Sequence, residues 1–125
     1  MTKRLGGGWL AAEPLLEGEE PLASWGVNRT QSAKRAVGGK LWVTTHRVVF
    51  LPHRLDAATG GQKWMAHRSE VAEVGRQAAG SDTLGGGLRA RLQLTLTGGD
   101  RQLFVVNKLD QVVTDLRAAL RRGGR

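Results

Sequence analysis

The chain has 125 residues, 40% of them hydrophobic, and its 19 basic against 11 acidic side chains give a net charge of +8. That length encloses one core and excludes two, the lack of cysteine excludes disulfides, thiolate metal centres and a cysteine nucleophile, and no run approaches the roughly 20 apolar residues of a spanning helix. The positive balance favours anionic partners, whether nucleic acid, acidic lipid or acidic protein.

Residues 1–14 carry Lys3 and Arg4 and then run into Gly6-Gly7-Gly8 instead of an apolar stretch, so they read as a flexible arm and not as a signal peptide. Acids crowd the early part of the chain at Glu13, Glu17, Glu19 and Glu20. Arg29, Lys34, Arg35, Lys40, Arg47 and Arg54 then follow with no acid among them, which polarises the charge along the chain. Glycine pairs and triplets punctuate the sequence, and between them the apolar residues keep a period of two, as strands with one buried face do.

The first strand is expected over residues 21 to 32. A hairpin follows: residues 40 to 44 and 47 to 51, joined near Thr45-His46, place Leu41, Val43, Val48 and Phe50 inward. Further strands are expected over residues 62 to 67 and, after a brief turn at Arg68-Ser69-Glu70, over 71 to 77. Gly85 to Gly87 read as a mobile loop. In residues 88 to 96 the apolar set Leu88, Ala90, Leu92, Leu94 and Leu96 alternates with Arg89, Arg91, Gln93 and Thr95. Thr97-Gly98-Gly99-Asp100 supplies residues that tolerate positive φ, so the chain reverses into an antiparallel partner over residues 101 to 106. Its inward face is either Leu103 and Val105 or Phe104 and Val106.

The last segment changes period. Leu109, Val112, Val113, Leu116 and Leu120 form one stripe of a helix. Asn107 is its expected N-cap with Asp110 three residues on, Gly123 its expected stop, and Arg121 and Arg122 suit the negative end of the dipole. The order is about seven strands and then one amphipathic helix, which would cover the mouth of a small barrel.

Two segments resemble the GRAM branch of the pleckstrin-homology-like family, in the form seen in bacteria. Leu15-Leu16-Glu17-Gly18-Glu19-Glu20-Pro21-Leu22 is similar to its opening "L-x-x-G-E", and Gly39-Lys40-Leu41-Trp42-Val43-Thr44-Thr45-His46-Arg47-Val48-Val49-Phe50 to its "G-x-L-x-V-T-x-x-R-V-x-F" hairpin. The resemblance covers roughly residues 15–122, leaving 123–125 as a tail. It implies a mainly β fold with one C-terminal helix: a pleckstrin-homology-like barrel of about seven antiparallel strands in two near-orthogonal sheets, capped by the helix.

The resemblance further implies a binding module; the residues offer no catalytic motif, cofactor motif or metal cluster, so no catalytic role, cofactor or metal is expected, and the lack of cysteine points to the cytoplasm, including the inner face of the membrane. In lipid-binding relatives the first two strands and their loop hold a phosphoinositide headgroup. Here that region offers Arg29, Lys34, Arg35, Lys40 and Arg47, and convergent cations are what a phosphate requires. The family's headgroup signature places a second basic residue two positions after the one matching Lys40, where this chain has Trp42. On the outer face, Trp42 either meets a membrane or peptide or packs under the N-terminal arm, near Trp9 or Leu10.

The expected partner is therefore an anionic membrane lipid, with a protein partner or self-assembly through Trp42 and an open strand edge as the alternative. Arg89, Arg91 and Arg101 suggest a basic stripe, but no stacking aromatics accompany it, so nucleic acid is not the expected partner. His46, His53, His67 and Asp56 lack the spacing of a metal site. The glycines at 85 to 87 lack the Lys-Ser/Thr ending of a phosphate-binding loop.

Overall fold

The computed structural model describes residues 4–32, 35–78 and 90–122. In chain order these form β1 (Arg4–Gly7), β2 (Leu10–Pro14), β3 (Pro21–Ser32), β4 (Arg35–Thr44), β5 (Arg47–Pro52), a short helix α1 (Arg54–Ala58), β6 (Trp64–His67), a single 3-10 turn (Arg68–Glu70), β7 (Val71–Gln77), β8 (Arg91–Leu96), β9 (Arg101–Val105) and helix α2 (Leu109–Arg121). Seven strands pair antiparallel in the order β6-β5-β4-β3-β9-β8-β7, and β1 and β2 form a separate hairpin.

The long pairing of β3 with β4 is followed by only two partnered positions between β3 and β9, Asn28 with Val105 and Arg29 with Phe104. The sheet turns over at that narrow junction and closes its inner faces on each other. Leu41, Val43, Val48 and Phe50 all point inward and are fully buried, as their alternation requires. The inward set here is Phe104 on β9 and Val106 just past its end; Phe104 lies 6.1 Å from both Phe50 and Trp64, ring centre to ring centre. Leu103 is buried as well, outside that core, so both faces of β9 are covered. The turn at residues 97–100 forms as its residues demand, with Gly99 at φ +98°.

Helix α2 lies across the core through Val112, Val113, Leu116 and Ala119, with Leu109 and Leu120 at its margins. Two arginines fasten it. Arg117 donates through Nε and Nη2 to the carbonyl of Val74 on β7, and Arg68 donates to the carbonyls of Ala119 and Leu120 at the helix C-terminus and to that of Thr44. Carbonyls in the last turn of a helix lack the usual i+4 amide, and Ala119 additionally accepts from the Arg122 amide at the C-cap. The start departs from expectation: Lys108, not Asn107, is the N-cap, in the left-handed region at φ 55°, and no side chain caps the first turn. Gly123 and the tail lie outside the described residues, as do Gly85 to Gly87, Leu88 and Arg89; β8 begins at Arg91.

Two further corrections concern the ends of the barrel. The segment expected as a loose arm is the β1–β2 hairpin over residues 4–14. Leu5 fixes it to the outer face of β5 by packing on Val49 and Leu51. The chain between β5 and β6 holds α1, whose five residues are too few to show a period. The chain after α1 approaches β4 closely at Gly61: a side-chain carbon there would lie 2.7 Å from Val37 Cγ1 and 2.8 Å from the carbonyl oxygen of Asp56. No helix among the described residues is long and apolar enough to cross a membrane.

Leu116 is a fully buried leucine of the plug. Leu116→Ala is expected to lower the unfolding free energy by about 2–5 kcal/mol, whereas Arg121→Ala on the exposed last turn shifts it by less than about 0.5 kcal/mol. Urea denaturation of the two variants checks the pair.

Candidate functional site

The five described residues among the six expected to bind an anion do not share one surface. Arg47 is buried and fully engaged: Nε and Nη2 donate to the two carboxylate oxygens of Glu19 at 2.8 and 3.0 Å, Nη1 to Glu13 at 3.1 Å, and Nη2 also to the carbonyl of Pro14 at 2.8 Å. It is therefore a structural tie and not a ligand residue.

Around the same carboxylate, the Leu16 amide donates to Glu19 at 2.8 Å and the buried Thr44 hydroxyl donates to it as well. The Thr44 oxygen also accepts from the amides of His46 and Arg47 and so shapes the β4–β5 turn. The Glu19 and Arg47 that pair here come from the two separate segments carrying the family resemblance. Burial alone would push the Glu19 carboxyl up, but the bonds from Arg47, Leu16 and Thr44 together outweigh it and hold its pKa below the ordinary 4.5. The bond to Glu19 is likewise the main reason the Arg47 guanidinium holds its proton more firmly than usual.

Trp42 does occupy the outer face, but it packs half-buried on the Leu5–Val49–Leu51 cluster under the hairpin, and its indole nitrogen is buried. It is covered and does not present itself to a ligand. Lys40 stands beside it, its ammonium 5.5 Å from the indole ring centre. Arg29 is half-buried, donates to Gln102 at 3.1 Å, and is drawn to a lower pKa by burial. Arg35 reaches across to the α1 loop and donates to the carbonyls of Asp56 and Thr59. Lys34 lies outside the described residues.

Arg91, expected on a solvated stripe, is buried on β8 and donates to Thr30, so it does not join Arg101 in a nucleic-acid surface. The three histidines are apart: His46 bonds Thr45, His67 bonds Ser69, and His53 heads α1. Among the described residues, no three or more metal-ligating side chains gather. A shallow groove of about 450 Å³ opens beside Asn28, Gly38, His53, Asp56 and Asn107. The Asp56 carboxylate, which accepts from the Gly38 amide at 3.2 Å, makes it a poor seat for phosphate.

Exposed cations lie at several places, Arg101, Lys108, Arg121 and Arg122 among them; one group, Arg4 and Arg54 with the half-buried Lys40, lies around the β1–β2 hairpin and α1, at the end of β4 remote from the Thr44 turn. Arg4 lays its guanidinium against Gly7, Arg54 is exposed at the start of α1, and Lys40 stands on β4 opposite Leu51, which touches Gly6. Among the described residues, none of these three cations, nor Arg35, is in an ion pair. The acids nearest this group are engaged in internal bonds, Glu13 with Arg47 and Lys63, and Asp56 with the Gly38 amide.

The architecture is that of a pleckstrin-homology-like domain. The chain is similar to the C-terminal domain of an unknown protein from Leishmania infantum, at TM-score 0.64 and 14% identity over 85% of this chain and 88% of that one. It is also similar to the Vps36 N-terminal PH domain, at TM-score 0.55 and 20% identity over 87% and 85% of the two chains. A third likeness is to the linker-DH/PH domains of p115-RhoGEF, at TM-score 0.55 and 6% identity over 86% of this chain and 30% of the other. No protein-family model and no curated protein matches the sequence, and the GRAM branch stands as a resemblance of motifs.

Glu19→Gln removes the more buried of the two carboxylates that hold Arg47 and leaves the buried charge to Glu13 alone, so a loss of up to about 3–5 kcal/mol is expected at neutral pH. Because the folded pKa of Glu19 is depressed, its contribution is complete above the ordinary 4.5 and is lost as pH falls through the lower folded value. The wild-type chain should therefore lose stability on acidification more steeply below pH 4.5 than Glu19→Gln does; denaturation midpoints recorded across that range test it.

Proposed function

We propose that this chain is a non-enzymatic pleckstrin-homology-like binding module that docks reversibly on an anionic phospholipid surface. The observation that carries this reading is the separation of charge at the hairpin–α1 end. Arg4 and Arg54 are exposed and Lys40 half-buried beside them, all outside any ion pair with the described residues, while the nearby acids Glu13 and Asp56 are turned to internal bonds. Each basic group near an anionic leaflet contributes about 1 kcal/mol, enough in combination for weak, peripheral and salt-sensitive attachment. The pleckstrin-homology fold of the structural neighbours supports a binding module in kind; the assignment itself rests on the surface, because one fold serves many functions.

The docking surface differs from the one the sequence suggested. Arg47 and Trp42 belong to the framework, and Arg35 serves by holding the α1 loop in place. The competing reading of a self-assembling module loses its Trp42 anchor to the hairpin above it.

Co-sedimentation with phosphatidylcholine vesicles, with and without phosphatidylserine, tests the proposal at low and physiological salt. Binding is expected only where phosphatidylserine is present, and is expected to weaken with salt. Arg4→Glu, Lys40→Glu and Arg54→Glu together should abolish it without moving the denaturation midpoint appreciably. Equal binding to neutral vesicles, or binding that survives the triple reversal, would sink the idea.

A further inference from the structure

Two large apolar side chains stand out of the surface at the same end: Trp9 is 87% exposed and Leu55 is 80% exposed. Trp9 closes the turn between β1 and β2, and Leu55 is the second residue of α1. The backbone holds them together. The Arg54 amide donates to the Trp9 carbonyl at 2.8 Å, and Leu10 bridges to His53.

Neither side chain projects from a loose tail. The hairpin is paired from Arg4 with Pro14 to Gly7 with Leu10, and Leu5, 1% exposed, roots it in the Val49–Leu51 cluster. Lys63 adds a bond to the carbonyl of Ala12. The α1 loop is tied in turn by Arg35 to Asp56 and Thr59. The apolar seat beneath the hairpin is filled by Trp42, which leaves Trp9 turned outward.

The rim of this tip selects its occupant. Arg4 folds over Gly7 beside Trp9, Arg54 precedes Leu55, and Lys40 flanks the hairpin, all without a carboxylate partner among the described residues. An apolar point with a cationic collar matches a bilayer interface, where indole rings settle at headgroup depth and guanidinium groups meet lipid phosphate. A collar of charge alone gives marginal, reversible attachment, and a second, apolar signal is what lengthens it.

We infer that the Trp9–Leu55 tip inserts into the interfacial layer of an anionic bilayer, as the apolar half of a two-part anchor whose electrostatic half is Arg4, Lys40 and Arg54. The inference rests on the docking reading above and adds to it the inserting residues and the depth at which they sit.

The full chain is mixed with phosphatidylcholine–phosphatidylserine vesicles, some carrying lipids brominated near the headgroup, and tryptophan emission is followed. Insertion predicts a blue shift and bromine quenching in the wild type, both missing in Trp9→Ala. Trp9→Ala/Leu55→Ala should bind roughly tenfold more weakly at physiological salt while keeping its low-salt binding. Both positions are exposed, so an unchanged denaturation midpoint is expected and shows that the variants fold.

Wild-type binding with no quenching, and with the double variant equal to it, overturns insertion and leaves the electrostatic docking intact. A wild type that binds no vesicle at low salt overturns the docking reading and the tip together. A lipid-free dimer in light scattering that Trp9→Ala abolishes makes the tip a contact between copies of the chain, and likewise overturns the proposal.

Discussion

The rest of the molecule is organised around one buried charge pair. Glu19 and Arg47 approach through two parallel hydrogen bonds, and each further polar atom of the pair is also met, by Leu16, Thr44, Glu13 or the Pro14 carbonyl. A buried ion pair overcomes its desolvation cost only with such complete satisfaction. In this chain the arrangement ties together the segment before β3, the turn between β4 and β5, and the end of the β1–β2 hairpin. The Thr44 carbonyl then passes the connection to Arg68 and so to the C-terminus of α2. The hairpin that shelters Trp42 and carries Trp9 thus takes its position partly from an interaction at the far end of β2.

The same economy explains why a net charge of +8 is a poor map of the surface. Arg35, Arg47, Arg68 and Arg117 all direct guanidinium donors at backbone carbonyls, where a planar fork satisfies groups at strand ends, loop closures and a helix terminus. A lysine would supply the charge without that geometry. The cations left to face solvent at the hairpin–α1 end are few, and their neighbours decide their use: acids turned inward and apolar side chains turned outward.

This division of labour suits a module that presents one end of a rigid barrel. The plugged core keeps strand positions fixed, and the chemistry available to a partner sits on short connections that the core holds in place. α1 and the β1–β2 turn reinforce each other through the Arg54–Trp9 hydrogen bond. The apolar point is therefore presented ready-made, and little ordering has to accompany contact with a surface.

Much of the framework was legible in the residues themselves. Alternation placed Leu41, Val43, Val48 and Phe50 inward, glycine-rich punctuation located the turn at 97–100, and a 3.6-residue stripe identified α2, because side-chain direction in a strand or helix repeats over neighbouring residues. The Glu19–Arg47 pair spans 28 positions and the Arg47–Glu13 bond 34, and no local period encodes a contact of that range. Hence Arg47 read as a surface cation, Trp42 as an exposed aromatic and residues 1–14 as a loose arm, whereas packing sets Leu5 on Val49 and Leu51, lays the hairpin over Trp42, and ties Arg47 to Glu19, Glu13 and Pro14. The choice between Leu103 and Phe104 as the inward face of β9 was open for the same reason, since both faces turned out to be covered. Composition and periodicity determined the strands and the closing helix; only the folded chain decided which charges serve the interior and which reach outward, because that depends on how far each side chain is removed from water by residues distant in sequence.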